Sequence, residues 1–312
     1  MATIQRFNPD NVMVSTTLGK EITYEPFTRE FLDRLVATSA VVRLGQQVDM
    51  GNQKMIRKSA SMGELTNAYF VGEGQKIGTA KVEAKDYVLE ARKIAVILPV
   101  TEEFLQYSWA QYFAEVVPLI ADKFNKMIDG AVFLGLHNNP FGTNVVKAAT
   151  NADNVVTKPL TPSAIYDLES APESDPNAFV GHRTLNRRLR TVRDANEYVF
   201  ERPMSPTDSG TLDGLPYVQL QLANGQAYPA NKLIAGYFND LKFGIPNGTA
   251  LRLKIDDSAT LSTIQNDGTV DSGDVHMFEQ DMQALRAIFE IAVAIPNEES
   301  FAVLEIEDGA EI

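Results

Sequence analysis

The sequence predicts an α+β fold, and three observations carry that reading. An apolar stripe at helical spacing runs from Thr101 to Gly135, roughly 34 residues or about 50 Å of helix. Segments of alternating or continuous apolar character, of strand length and bounded by Gly, Pro, Asn and Asp, lie on both sides of it. The composition, 44% hydrophobic and 22% charged over 312 residues, is that of a globular chain with material for one large or two modest domains.

Residues 1 to 45 form a polar, Asn- and Thr-rich arm in which Phe27, Phe31, Leu32 and Leu35 recur at helical spacing behind Pro26 and Thr28, so a short amphipathic helix is expected there. Residues 46 to 90 read as a long two-stranded excursion: an outgoing arm "QQVDMGNQKMIRKS", a polar middle "ASMGELTNAYFVGEGQKIGTA" and a return "KVEAKDYVLEARK". It holds too few apolar residues to pack alone, and an isolated ribbon is marginal in water, so it needs a surface to lie on. In "ARKIAVILPVTEEFL", Ile94, Val96, Leu98 and Val100 fall on one side of a strand and Ala95 and Ile97 on the other. Both faces are apolar, which predicts a buried strand whose pairing Pro99 limits at its end. Thr101 is a good helix N-cap, and Glu102 and Glu103 sit in the first turn, where free N–H groups favour negative charge. The stripe continues through Phe104, Leu105, Tyr112, Phe113, Val116, Ile120, Phe124, Met127, Ile128 and Ala131, and Pro118 is expected to bend or interrupt the helix.

Residues 137 to 160 are loop-rich and mark a candidate boundary. Beyond them a mixed unit is predicted: a helix over 162–168, a strand over 178–180, a basic helix over 185–195, and strands near 217–222, 232–237 and 250–255. The C-terminal stretch, with Ala284, Ile288, Ile291, Val293 and Ile295, predicts two or three further strands before an acidic end. There is no internal repeat.

Charge and residue usage exclude several function classes. A net charge of -13 argues against broad attraction to nucleic acid, which needs clustered Lys and Arg. The absence of cysteine removes disulfides, thiolate metal sites and Cys nucleophiles. No apolar run reaches bilayer-spanning length and no secretory signal pattern opens the chain, so a soluble protein that stays in the cell where it is made is expected. Consecutive helix residues point about 100° apart, so Glu102 and Glu103 do not converge on one substrate and fit a helix start better than an acid–base pair. The glycines of "VGEGQKIG" have neither dinucleotide-fingerprint spacing nor the Gly-Lys-Ser/Thr of a phosphate loop, and read as a ribbon tip. In "QNDGTVDSGDVHMFEQD", placing Gly268 at the sixth position of a calcium loop puts Thr263 and Gln265 where ligands belong, so a polar turn fits better. His137, His182 and His276 are too scattered for a zinc site on one element. No Gly-x-Ser-x-Gly elbow occurs, and no catalytic site, metal site or cofactor is expected.

The strongest charged feature is "HRTLNRRLRTVRDANEY", where Arg183, Arg187 and Arg190 would share one face of the predicted helix, with Arg188 and Arg193 beside it. In so acidic a chain, a solvated face or an ion-pairing surface for a neighbouring subunit ranks above nucleic-acid contact. An arm and a ribbon that cannot bury themselves point to a protein that completes its structure by assembly.

The order of these parts resembles the major capsid proteins of tailed bacteriophages, the Hong Kong 97-type family. The resemblance rests on "FTREFLDRL", "AYFVGEGQKI", "EARKIAVILPVTEEFL", "AFVGHRTLNRRLRTVRDANEYVF", "LDGLPYVQL" and "HMFEQDMQALRAIFEIAVAIPNEESFAVLEI", in that order and over nearly the whole chain. It implies an N-terminal arm (1–45), an extended loop (46–91), a peripheral domain with a spine helix (92–155 and 275–312) and an axial domain (156–274). It further implies self-assembly into homo-pentamers and homo-hexamers that close an icosahedral shell around double-stranded DNA, with a portal and possible decoration proteins, no membrane and no enzymatic activity. The long helix starts near residue 101 with Met1 present, so a separate scaffolding protein is expected. Lys54, Arg57, Glu73, Lys76, Lys81, Lys85, Arg183, Arg187 and Arg190 are the candidate inter-subunit contacts. Some family members join subunits by a Lys–Asn isopeptide bond, for which Lys76, Lys81, Lys85 and Asn297 supply the residue types. An encapsulin-like cellular compartment is the alternative within the fold.

Overall fold

The computed structural model describes residues 38–62, 70–76, 84–182, 184–190, 192–194, 197–198, 200–201, 210–220, 231–246, 251–256, 260–264, 270–278 and 281–307. In chain order, helix α1 (Ala40–Leu44) precedes strands β1 (Gln46–Gln47), β2 (Met55–Met62), β3 (Ala84–Glu90) and β4 (Arg92–Thr101). Strand β4 runs directly into the long helix α2 (Glu102–Leu134), which is followed by α3 (Val145–Asn151), β5 (Val155–Lys158), α4 (Pro162–Ser170), β6 (Ala178–His182) and α5 (Leu185–Leu189). Four two-residue strands come next: β7 (Arg193–Asp194), β8 (Glu197–Tyr198), β9 (Phe200–Glu201) and β10 (Thr211–Leu212). The remainder is strand: β11 (Leu215–Leu220), β12 (Lys232–Gly236), β13 (Lys242–Gly244), β14 (Leu251–Asp256), β15 (Thr260–Ile264), β16 (Val270–His276), β17 (Met282–Ala294) and β18 (Phe301–Ile306).

Two compact units result, the described parts of one drawn from residues 95–120 and 251–288 and of the other from 38–94, 121–246 and 289–307. The second unit contains a seven-stranded mixed sheet in the order β5-β18-β12-β6-β11-β10-β9. Its core packs Phe179, Tyr217, Leu233 and Leu304 of the strands with Ile165 and Leu168 of α4 and Leu185 and Leu189 of α5. Tyr217 is fully buried and donates its hydroxyl to the carbonyl of His182 at 3.2 Å. Gly181 makes room for it: a Cβ there would stand 2.7 Å from the Tyr217 oxygen. Elsewhere β1 pairs in parallel with β13, β13 pairs antiparallel with the end of β17, and β17 also neighbours β14 and β4.

Helix α2 continues through Pro118, so of the bend or interruption expected there the interruption does not occur. From Val117 onward, Val117, Ala121, Phe124, Ile128, Ala131 and Val132 are buried, the i, i+4, i+7 recurrence of a helix seated on a core. Phe124 stacks on Phe289 with ring centroids 6.4 Å apart, and Phe133 packs on Phe238 at 6.0 Å. Gly135 ends the helix at φ +72, a conformation that suits glycine, and a Cβ there would also meet the Asn144 side chain at 2.5 Å. Asn144 is needed in that position because it caps α3, accepting from Lys147 N–H at 2.8 Å.

Two local predictions need correction. Strand β4 is not buried on both faces: Ile94, Val96, Leu98 and Val100 are half-buried, whereas Ala95, Ile97 and Pro99 are exposed. Within one chain the strand has a covered side and an open side. The basic helix stops at Leu189 instead of Ala195, because Val192 turns into the core cluster and the chain then pairs β7 with β8. A helix of five residues is too short to hold three arginines on one face over i, i+4 and i+7.

Candidate assembly surfaces

Most of the ribbon's described side chains are exposed. Strands β2 and β3 are antiparallel, pairing Met55 with Glu90, Ile56 with Leu89, Arg57 with Val88, Lys58 with Tyr87 and Ser59 with Asp86. Beyond Ser59 the register shifts, so that Ser61 opposes Lys85. Side chains alternate across a strand, so these pairs sort onto two faces. One face carries Ile56, Leu89 and Tyr87 and is seated: Leu89 and Ala91 join Val48, Met50, Ala292 and Ala294 in a buried cluster, with Ile56 and Tyr87 packed on it. Burial raises the Tyr87 phenol above its ordinary value. The Ala91 N–H donates to the Lys54 carbonyl at 2.9 Å and closes the root of the ribbon.

The other face carries Met55, Arg57, Ser59, Asp86, Val88 and Glu90. Met55 is 59% exposed and Val88 42% exposed, side by side around the Arg57–Asp86 ion pair at 3.2 Å. That pair is solvated and contributes little to the subunit alone. Further out, Phe70 is fully exposed beside a turn in which Gln75 N–H donates to the Gly72 carbonyl at 3.1 Å.

The candidate contact residues distribute as follows. Lys54, Arg57, Glu73, Lys76, Arg187 and Arg190 are exposed. Lys85 belongs to β3, and Lys81 and Arg183 lie outside the described residues, as does the predicted amphipathic helix around Phe27 and Phe31. Asn297 is half-buried, and its amide nitrogen donates to Ser300 Oγ at 2.9 Å, which itself donates to Asp240 Oδ2 at 2.5 Å. The exposed apolar residues Met55, Phe70, Val88 and Ile97 did not stand out in the sequence as contact candidates, where charge drew attention first. Their signal was present: Met55, Arg57 and Ser59 alternate with Ile56 and Lys58, so the two faces of the strand could have been separated before either was seen.

Among the described residues, no group of three or more His, Cys, Asp or Glu side chains is able to hold a metal ion. No described helix is long and apolar enough to cross a membrane.

Comparison with known proteins adds independent findings. Residues 22–306 match the model of the phage capsid family. The major capsid protein of Staphylococcus phage 80alpha is 38% identical over 307 residues, an alignment covering 96% of this chain and 89% of that protein. Among solved structures, a chain from Mycobacterium phage Adephagia superposes with a TM-score of 0.68 at 21% identity, covering 88% of this chain and 92% of its own. The capsid of an empty GTA particle computed with C5 symmetry gives a TM-score of 0.64 at 13% identity, covering 86% and 89%.

Proposed function

This chain belongs to the phage capsid family and has its Hong Kong 97-type fold, and on that premise we propose that it is the major capsid protein of a tailed double-stranded DNA bacteriophage. Copies associate into pentamers and hexamers, and these close an icosahedral head shell in the virion around the genome. The role is mechanical: the protein contributes surfaces, and the shell is stabilised by many modest contacts that symmetry repeats. Assembly in the host cytoplasm, a separate scaffolding protein and a portal belong to the same reading.

The observation that carries it is the ribbon, rooted through Leu89 and Ala91 in the body of its own subunit while Met55 and Val88 open onto solvent. A pair of strands that exposes such a face is marginal by itself and becomes stable when a second surface covers it. The second copy of this chain is the natural cover in a protein whose relatives build capsids. Arg57, Lys54, Glu73 and Lys76 then lie at the rim of the contact and set its register more than its strength. An encapsulin-like compartment is not favoured, because the family match and the staphylococcal phage relative both point to viral capsids.

Deleting residues 52 to 88 tests this. The shortened chain is expected to remain soluble and to yield no closed shells in negative-stain microscopy, while the intact chain yields shells or capsomers. Normal particles from the deletion would remove the ribbon from the assembly mechanism. Intact chain that stays monomeric under all assembly conditions would count against the capsid reading as a whole.

A further inference from the structure

The outward face of the ribbon carries a reactive group as well as a contact surface. Met55 lies on β2 directly opposite Glu90 and two residues before Arg57, with Val88 diagonally across on β3. It is 59% exposed, which opens its thioether to dissolved oxidants. Other methionines are held differently: Met50 is 2% exposed in the cluster at the root of the ribbon, Met277 is 1% exposed, and Met127 and Met282 are half-buried. Among the methionines with described side chains, Met55 is therefore the exposed one, and it stands on the face read above as an assembly contact.

The chemistry of the position makes that face sensitive to oxidation. Around Met55 and Val88 the charged groups are already matched, Arg57 with Asp86 at 3.2 Å and Arg92 with Glu90 at 2.8 Å, so the reduced face is charge-balanced around an apolar centre. Methionine is unbranched and polarisable and adapts its shape to an opposing surface, which suits a contact between copies. A sulfoxide in its place is polar and brings a new hydrogen-bond acceptor, and covering that acceptor with apolar surface carries a desolvation cost.

We propose that Met55 is an oxidation site through which hydrogen peroxide weakens the ribbon's assembly contact, an inference that rests on the reading of this face as a contact between copies. The thioether sulfur attacks one peroxide oxygen: an S–O bond forms, the O–O bond breaks, and the departing hydroxide takes the proton from the transferred oxygen and leaves as water. Sulfur loses two electrons and the peroxide gains them. The reverse step, catalysed by methionine sulfoxide reductases, oxidises two thiols to a disulfide and releases the sulfoxide oxygen as water. Because a covering copy removes access to the sulfur, a finished shell protects the residue that its free subunits expose.

Peroxide treatment of the full chain, before and after assembly, tests the proposal, with the sulfoxide located by peptide mass spectrometry and closed particles counted by negative-stain microscopy. In the free chain Met55 is expected to convert about tenfold faster than Met50 and Met277, and in shells its rate should fall several-fold. Chain oxidised at Met55 should yield about tenfold fewer particles, and reductase with a thiol should restore them in step with the loss of Met55 sulfoxide. In Met55→Leu, which lacks the reactive sulfur, treated and untreated yields should agree. Met55 reacting no faster than the buried methionines, an undiminished yield from chain oxidised at Met55, or an equal loss on treating Met55→Leu would overturn the oxidation site and leave the capsid reading standing. Untreated natural chain that forms no particles would instead remove the contact itself, and the proposal with it. Should Met55→Leu not assemble, the reductase rescue in the natural chain decides alone.

Discussion

Glu169 lies on α4 with Oε1 shielded from solvent and lacking a hydrogen-bond partner. The strands beneath α4 carry two lysines, but Lys158 is paired with Asp167 and Lys232 with Glu305, each at 2.5 Å. Glu169 is left with partial burial and with Asp213, an acid in the β10–β11 turn, and these raise its carboxyl to about 7, burial contributing most. Because the folded value lies above the ordinary 4.5, stability from this group is complete below that ordinary value and is lost as pH rises through about 7. Glu169→Gln, which keeps the shape and removes the charge, is predicted to raise the melting temperature at pH 8 and to leave it nearly unchanged at pH 5. A Gln variant that melts below the natural chain at pH 8 would contradict this account. Neither Glu169 nor Asp213 is marked in the sequence, since an acid near the end of a helix and an Asp-Gly turn are both ordinary. Asp129, buried on α2 with its carboxylate accepting from Ser39 Oγ at 2.8 Å, had a faint signal: Asn125 and Asp129 interrupt the apolar stripe at i, i+4, on the face that also carries Ala121, Ile128 and Val132. Two polar residues at core positions announce a buried network, but only the fold supplies its partner 90 positions away.

Among the elements, legibility followed periodicity. The long helix was readable because its stripe repeats over many turns, and its end at Gly135 coincides with a positive φ. Pro118 does not interrupt the helix, because a proline disturbs only the hydrogen bond it cannot donate and the carbonyl it crowds, and helix α2 continues through it. The ribbon was readable as two strands, but not which face is seated, because Leu89, Ala91 and Met50 meet Ala292 and Ala294 across some 200 positions of sequence that no local pattern links. That root supports the next prediction. Leu89 is fully buried, so Leu89→Ala is expected to cost about 2–5 kcal/mol in denaturant unfolding, by lost transfer energy and by the cavity it leaves. A loss under about 0.5 kcal/mol would mean that the ribbon is not anchored through this side chain. The basic segment failed as a long helix for a related reason: Val192 gains more by entering the core than three arginines gain by sharing a solvated face.

For the whole molecule, the order of parts was more informative than any single part. Each of the six quoted stretches is unremarkable alone, yet together they led to a capsid fold that the family match supports over residues 22–306. What one chain could not express was the distinction between apolar surface meant for its own core and apolar surface meant for another copy, because both follow the same alternation. Strand β4 is the clearest instance: its apolar residues on both faces predicted burial, yet Ile97 is 45% exposed while Val96 and Leu98 are half-covered. If the outer face of β4 is buried only on assembly, then Ile97→Glu should leave the isolated subunit folded, at a cost of about 1 kcal/mol or less for a charged residue on an exposed strand face. The same substitution in a shell would place a carboxylate in a covered apolar contact, repeated in every subunit, and closed particles should be lost while soluble subunits accumulate. Negative-stain microscopy together with sedimentation reads both outcomes in one preparation. Particles at the natural yield would place the outer face of β4 against solvent in the shell, and an unfolded subunit would mean that this face is already part of the monomer's core.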